Sequence, residues 1–173
     1  MNTKLGKITG IITLIFGILF VGAGGAAWFV VSDQLKAEDI IVAGDADFAA
    51  GNQVAGPISA FAQAQVIQKH ALAISDGETY ATLGALAGQA EEDGDEDLAA
   101  EYNELRSTMM NASFLRSSLF TSVLSFGVAL MAIGVGVWML LVGATFVTAG
   151  RKTDDVYADR RVDDVPVDRR TDV

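Results

Sequence analysis

The densest concentration of chemistry-bearing side chains is Glu91-Glu92-Asp93-Gly94-Asp95-Glu96-Asp97, six carboxylates in seven residues. Carboxylate oxygens are the ligands that hard cations such as Ca²⁺ take, so Glu91, Glu92, Asp93, Asp95, Glu96 and Asp97 are candidate cation ligands. The spacing argues against a built site. An EF-hand loop alternates Asp or Asn ligands, places Gly at its centre and closes with a distant Glu, and this run does none of these. A charged turn between two helices accounts for it without a ligand. His70 is the only histidine and there is no cysteine, so the usual His/Cys zinc site and a thiolate nucleophile are both missing from a single chain. A hydrolytic triad sets an imidazole against a hydroxyl and a carboxylate. His70 can supply the imidazole, but no nucleophile-elbow sequence surrounds any serine. A lone helical histidine is ordinarily structural, and no glycine-rich phosphate loop is present. The expectation is a protein with no catalytic residue, no cofactor and no metal, and hence not an enzyme.

The elements that carry these residues are set by two apolar blocks. No charged residue occurs from Ile8 to Val31 or from Ser117 to Gly150, runs of 24 and 34 positions. A helix needs about 20 apolar residues to cross a hydrocarbon core about 30 Å thick. A Lys, Arg or Asp at mid-membrane costs about 2.5 to 3.5 kcal/mol, so charge-free runs in an otherwise acidic chain read as transmembrane helices, here over 8–31 and 117–148. The second run is longer than one crossing requires and predicts tilt or protrusion. A cleaved signal peptide competes for the first run, since Lys4 and Lys7 precede it and small residues fill Gly22 to Ala27. A signal core spans only about 7 to 15 residues, whereas Trp28, Phe29, Val30 and Val31 prolong this one, so an uncleaved anchor is the better reading.

Orientation follows from basic residues near the helix ends, because cytoplasmic flanks carry the excess. Lys4, Lys7, Arg151, Lys152, Arg160, Arg161, Arg169 and Arg170 lie on the terminal sides, against Lys36, Arg106 and Arg116 between the spans. Both termini, 1–7 and 149–173, are therefore expected in the cytoplasm of a multi-pass protein of the cell membrane. Trp28, Arg116, Arg151 and Lys152 are expected at the membrane interface, with Arg116 snorkelling to headgroups. Trp138 fits either an interface or a buried position within its helix. The tail carries seven acids and six bases and repeats itself, as Asp159-Arg160-Arg161-Val162-Asp163 and Asp168-Arg169-Arg170-Thr171-Asp172. That composition predicts a disordered cytoplasmic tail.

Residues 32–116 hold fifteen acids and four bases, a net charge of −11. Such a surface repels nucleic acid and anionic headgroups and attracts cations or basic partners. The segment is small for an independent core. Asp39-Ile40-Ile41-Val42-Ala43-Gly44-Asp45 predicts a short strand or extended segment, and Gly51, Asn52, Gly56 and Pro57 mark loop. Helical spacing of Phe61, Ala62, Val66, Ile67, Leu72 and Ala73 predicts a helix from Ser59, able to cap it, to about Ile74. A glycine-weakened helix follows from Glu78 to about Ala90, with Asp76-Gly77 as its turn. From Asp97 the pattern Leu98, Ala99, Tyr102, Leu105, Met109 continues without Pro or Gly until Gly127, which predicts one long helix running into the second span. The fold class expected is mainly α: two transmembrane helices, a small, mostly helical extracytoplasmic domain of residues 32–116 between them, and a second span continuous with a long extramembrane helix.

Small residues let membrane helices approach closely where lipid supplies no hydrophobic drive. Gly22 with Ala26 and Ala132 with Gly136 are small-xxx-small pairs, while Gly127 and Gly134, and Gly136 and Gly143, stand seven apart. All seven are candidate helix-packing residues. Neither span contains an ionisable group, which argues against proton relay or ion conduction.

The Lys-flanked first span, the Val54-Ala55-Gly56-Pro57 turn with its Ala-rich continuation to His70-Ala71-Leu72, and Met110-Asn111-Ala112-Ser113-Phe114-Leu115-Arg116-Ser117-Ser118-Leu119-Phe120-Thr121-Ser122-Val123 resemble a group of small actinobacterial two-transmembrane proteins. The resemblance covers roughly residues 4 to 148, and the group is commonly labelled an aromatic-ring-opening dioxygenase. Non-haem iron oxygenases hold their metal with two histidines and a carboxylate, and this chain has one histidine, so the label's chemistry does not carry over. The function expected is instead that of a non-catalytic accessory or interaction subunit of a larger cell-envelope complex, a respiratory supercomplex among the candidate hosts. Its partners would be membrane lipid and other membrane proteins, not nucleic acid. The alternative is an extracytoplasmic sensor that binds a cation or small ligand and signals through the tail.

Overall fold

A computed structural model describes the backbone of residues 3–163 and side chains from residue 5 to residue 149. The chain is mainly helical. Four helices follow in order: α1 Thr3–Ala37, α2 Pro57–Ile74, α3 Tyr80–Glu92 and α4 Glu96–Asp163. Helices α1 and α4 each contain a stretch long and apolar enough to cross a membrane. The contacts divide the chain into two compact units, one of residues Met1–Gly25 with Leu130–Val173 and the other of Ala26–Ala129.

In the first unit α1 and α4 pack antiparallel through glycine. A Cβ built on Gly10 would lie 2.9 Å from the Gly143 carbonyl oxygen, and one on Gly17 would lie 2.9 Å from that of Gly136. The reciprocal positions are as tight: Cβ atoms on Gly136 and Gly143 would meet the carbonyls of Gly17 and Gly10 at 2.8 and 2.9 Å. Seven-residue spacing on both helices brings glycine back to the contact every two turns, so the backbones touch where any side chain would hold them apart.

The second unit takes in the last turns of α1 and the first part of α4, with α2 and α3. Leu35 of α1, Leu119 and Phe126 of α4, Ala60, Ala62 and Ala64 of α2, and Val42 and Val54 of the α1–α2 connection form one buried cluster. Trp28 packs edge-on against Phe126, centroids 4.7 Å apart, and Phe61 does the same with Phe120 at 5.8 Å. A second cluster joins Ala71, Leu83 and Met109, from α2, α3 and α4. The alanines of α2 let it lie close to its neighbours.

The α1–α2 connection is a looped plug. Among the described residues there is no strand. The expected extended run 39–45 makes a single antiparallel bridge, Ile41 to Gln53, flanked by backbone hydrogen bonds from Val42 to Asn52, Gly51 to Val42 and Val54 to Ile40. Asp39, Ala49 and Gly51 take left-handed φ values of 49°, 56° and 75°, which bend the chain back before a ladder can lengthen. Val42 and Val54 are thereby buried at 1% and 0% exposure.

Helix boundaries follow side-chain capping. Helix α2 begins at Pro57, with Gly56 as N-cap. Ser59 stands at the third helical position, where its Oγ accepts from the backbone N–H groups of Ala55 and Gly56 at 3.1 and 3.3 Å. Helix α3 starts later than expected because Thr79 and Thr82 cap each other: Thr79 Oγ1 accepts from the Thr82 N–H and Thr82 Oγ1 from the Thr79 N–H. Asp76 and Gly77 turn the chain with φ values of 52° and 89°. Gly84 leaves room for the Arg106 guanidinium, whose Nε would sit 3.1 Å from a Cβ there and whose Cζ lies 4.3 Å over the Tyr80 ring. The backbone of the tail expected to be disordered from residue 149 is helical to Asp163, and residues 164–173 lie outside the described residues.

Candidate functional site

Cavities of the second unit bring polar groups together, and two of them bear most on chemistry; a further one, of about 330 Å³, is lined by residues that include Gln68, Thr79, Tyr80, Met109 and Arg116. The first is organised by Asp45, which the α1–α2 plug delivers to α2. Its Oδ2 accepts from Lys69 Nζ at 3.0 Å and meets His70 Nε2 at 2.9 Å, and Lys69 Nζ also donates to the Asp45 carbonyl at 3.0 Å. The hydrogen bond from His70, then that from Lys69, holds the Asp45 carboxyl down from 3.8 to about 2. All three side chains are about half exposed. Beside them lies a cavity of about 320 Å³ lined by Asp45, Asp47, Phe48, Val66, Lys69 and Leu72. The sole histidine is therefore one arm of a clamp on a loop, with Asp45 as its hydrogen-bond partner.

The second place is a groove of about 610 Å³ between α1, α2 and α4. Leu35 and Leu119 form its buried floor, and Val30 and Leu115 stand at its rim, more than half exposed. Polar groups reach it from Gln34, Gln63, Ser118, Thr121, Ser122 and Ser125, and its one charged lining residue is Glu38. Three hydroxyls are turned inward on their own helix: Thr121 donates to the Ser117 carbonyl at 2.8 Å, Ser122 to Ser118 at 3.2 Å and Ser125 to Thr121 at 2.8 Å. Gln63 Oε1 accepts from the Ala43 N–H at 3.1 Å, which leaves its amide NH₂ as the donor end.

The carboxylates of residues 91–97 are all exposed and form a turn. Asp93 ends α3, Gly94 takes φ 78°, and Asp95 Oδ1 accepts from the Leu98 N–H at 3.1 Å. Glu96 and Asp97 occupy the first turn of α4, where the helix dipole favours negative charge. No group of three potential ligands converges among the described residues.

The candidate packing residues separate into two sets. Gly136 and Gly143 face α1, whereas Gly22, Gly127 and Gly134 have nothing within 4 Å of a built Cβ. Ala26 is exposed and Ala132 half-buried. Gly10 and Gly17, the other half of the seam, were not among the candidates; their seven-residue spacing matched to that of Gly136 and Gly143 is the signal that finds them. Among the interface candidates, Trp28 is packed on Phe126 and Arg116 Nε donates to the Ala64 carbonyl of α2 at 3.2 Å, its Cζ 5.6 Å from the Phe120 ring. Trp138 is 65% exposed. The side chains of Arg151 and Lys152 lie outside the described residues.

Comparisons with protein families, with curated proteins and with solved structures return no match to this chain.

Proposed function

We propose that this is a two-pass protein of the cell membrane with both termini cytoplasmic, and that it serves as a non-catalytic accessory subunit binding other membrane proteins in a larger envelope complex. A respiratory supercomplex is one candidate host. The observation that carries the reading is the division of labour among the glycines. The intramolecular seam uses Gly10, Gly17, Gly136 and Gly143, yet Gly22, Gly25, Gly127 and Gly134 leave further backbone open with nothing within 4 Å. Backbone bared on apolar helices, with no close contact among the described residues, suits a partner helix that packs closely in lipid. Large apolar side chains such as Leu124, Leu130 and Leu141 are more than half exposed on the same helix and require lipid or protein cover.

Affinity purification in a mild detergent from native membranes tests the proposal. Wild type is expected to carry stoichiometric partners, and Gly134→Leu to lose them while remaining folded. Recovery of the monomer alone refutes it. The orientation is tested with single cysteines at Glu101 and Asn2: a membrane-impermeant maleimide should label the first in intact cells and spare the second.

A sensor is the second reading, favoured by the half-exposed Asp45, Lys69 and His70 clamp beside its cavity. Ligand binding that opened the clamp would act on α2, and a helix running from Glu96 through the membrane would carry the change to the tail. Thermal stability unchanged by a panel of divalent cations would remove the cation form of this reading.

A further inference from the structure

We propose that the groove between α1, α2 and α4 is a binding site for an uncharged membrane amphiphile of the diacylglycerol type, its glycerol head over Leu35 and Leu119 among Gln63, Ser118 and Ser122 and its acyl chains running past Val31 and Val30 into the bilayer. The inference rests on the membrane reading above and deepens it. The residues that line the groove straddle the outer ends of both charge-free runs: Val30 and Val31 close the first, and Ser118 to Ser125 open the second. A cavity of about 610 Å³ with an apolar floor at that depth opens where lipid is the solvent.

Charge selects among the lipids. No Lys or Arg lines the groove and Glu38 does, so a phosphate or carboxylate headgroup would be desolvated beside a like charge with no cation to pair it. Hydrogen-bonding polarity selects further. The Ser122 hydroxyl spends its proton on the Ser118 carbonyl and presents acceptor lone pairs, which suit a ligand hydroxyl. The Gln63 amide, its oxygen already engaged by Ala43, presents a donor, which suits an ester carbonyl. A head that offers one hydroxyl and two ester carbonyls answers both, whereas a head with acceptors alone leaves the Ser122 hydroxyl unmatched.

The test is photolabelling of the full-length protein in phosphatidylcholine nanodiscs. Diacylglycerol and phosphatidylglycerol, each bearing a diazirine beside the glycerol ester, are compared at equal mole fraction, and adducts are mapped by mass spectrometry. The neutral probe is expected to label peptides Val30–Glu38 and Leu115–Ser125 several-fold more than the anionic probe. Labelling of the outward residues Leu130 and Leu141 should not distinguish the two. Ser122→Phe, which fills the groove, should abolish the preference. Glu38→Lys, a surface change, should raise anionic labelling to match or exceed the neutral. Equal labelling of groove and outward residues, an anionic preference in wild type, or a ratio unmoved by Glu38→Lys overturns the proposal. A protein released from native membranes by carbonate would instead overturn the membrane reading itself, and labelled spans without groove enrichment would overturn only this inference.

Discussion

Replacing Gly136 by alanine tests the glycine seam most directly. The added Cβ would stand 2.8 Å from the Gly17 carbonyl oxygen, 2.8 Å from the Val21 amide nitrogen and 2.8 Å from Val21 Cγ2. Two of those atoms are backbone, so no rotamer change relieves the clash, and the helices must separate by several tenths of an ångström or the register must slip. Overpacking of this kind costs about 1 to 3 kcal/mol, or about 5- to 150-fold in an unfolding equilibrium. Against it stands the helix-propensity gain of alanine over glycine, about 1 kcal/mol in water. Gly134→Ala isolates that gain, because a Cβ at Gly134 meets nothing within 4 Å. Equilibrium unfolding in detergent micelles should therefore place Gly136→Ala below wild type and Gly134→Ala at or above it. The pair Gly17→Ala and Gly136→Ala shares one contact, so the double variant should cost less than the sum of the singles. Equal stability of Gly136→Ala and Gly134→Ala, or full additivity of the pair, would refute the reasoning.

Other outcomes follow from individual contacts. Asp45 has a folded pKa of about 2 against an ordinary 3.8, so its pairing with His70 and Lys69 stabilises the fold above pH 3.8 and is lost as pH falls through that window toward 2. Melting temperature plotted against pH should flatten there in Asp45→Asn, and carboxyl NMR should find the depressed titration in wild type only. Arg116→Met leaves the Ala64 carbonyl without its charged donor; a loss of about 1.5 to 3 kcal/mol is expected, read as faster amide exchange in α2. Thr79→Ala should cost about 0.5 to 2 kcal/mol by uncapping α3, and Thr79→Ser should restore most of it in thermal melts. Phe126→Ala removes a 1% exposed ring packed on Trp28 and should cost about 3 to 5 kcal/mol, with a change in tryptophan emission as the local readout.

The two apolar helices are legible in the sequence because a gap in charge is a local property that can be read position by position, and each gap is long enough to mark its element. The ends of α2 and α3 are less so. Ser59 and Thr79 are both capping residues, but which turn each closes depends on reciprocal bonds to Gly56 and Thr82 that spacing alone permits in more than one register. The α1–α2 plug misleads for a related reason. Ile40, Ile41 and Val42 have strand chemistry, yet Asp39, Ala49 and Gly51 adopt left-handed conformations that leave room for a single bridge. The glycine seam is half legible. Gly136 and Gly143 announce themselves by period, but Gly22 has the same composition around it and faces nothing, because whether a glycine is used depends on the partner helix across from it. Both cavities are invisible to periodicity, since each joins residues of separate elements: Asp45 reaches His70 across 25 positions, and the groove draws on α1, α2 and α4 together.

The core of the second unit explains why its residues between the two apolar helices need not form an independent domain. Of the eight residues buried in its main cluster, Leu119 and Phe126 belong to the charge-free run of α4 and Leu35 to the last turns of α1. The remaining five are two valines of the plug and three alanines of α2, side chains too small to fill a core without the larger ones supplied by α1 and α4. Burying an alanine removes little apolar surface from water, at about 25 cal/mol per Å², so the segment from Glu38 to Asp95 alone would recover too little to offset its ordering entropy. Expressed without α1 and α4, that segment should therefore show little cooperative melting by circular dichroism, whereas the full chain should melt as one transition in its second unit. A cooperative melt of the excised segment would mean that the plug and α2–α3 hold together without the apolar helices, and the stabilising role assigned to Leu35, Leu119 and Phe126 would fall.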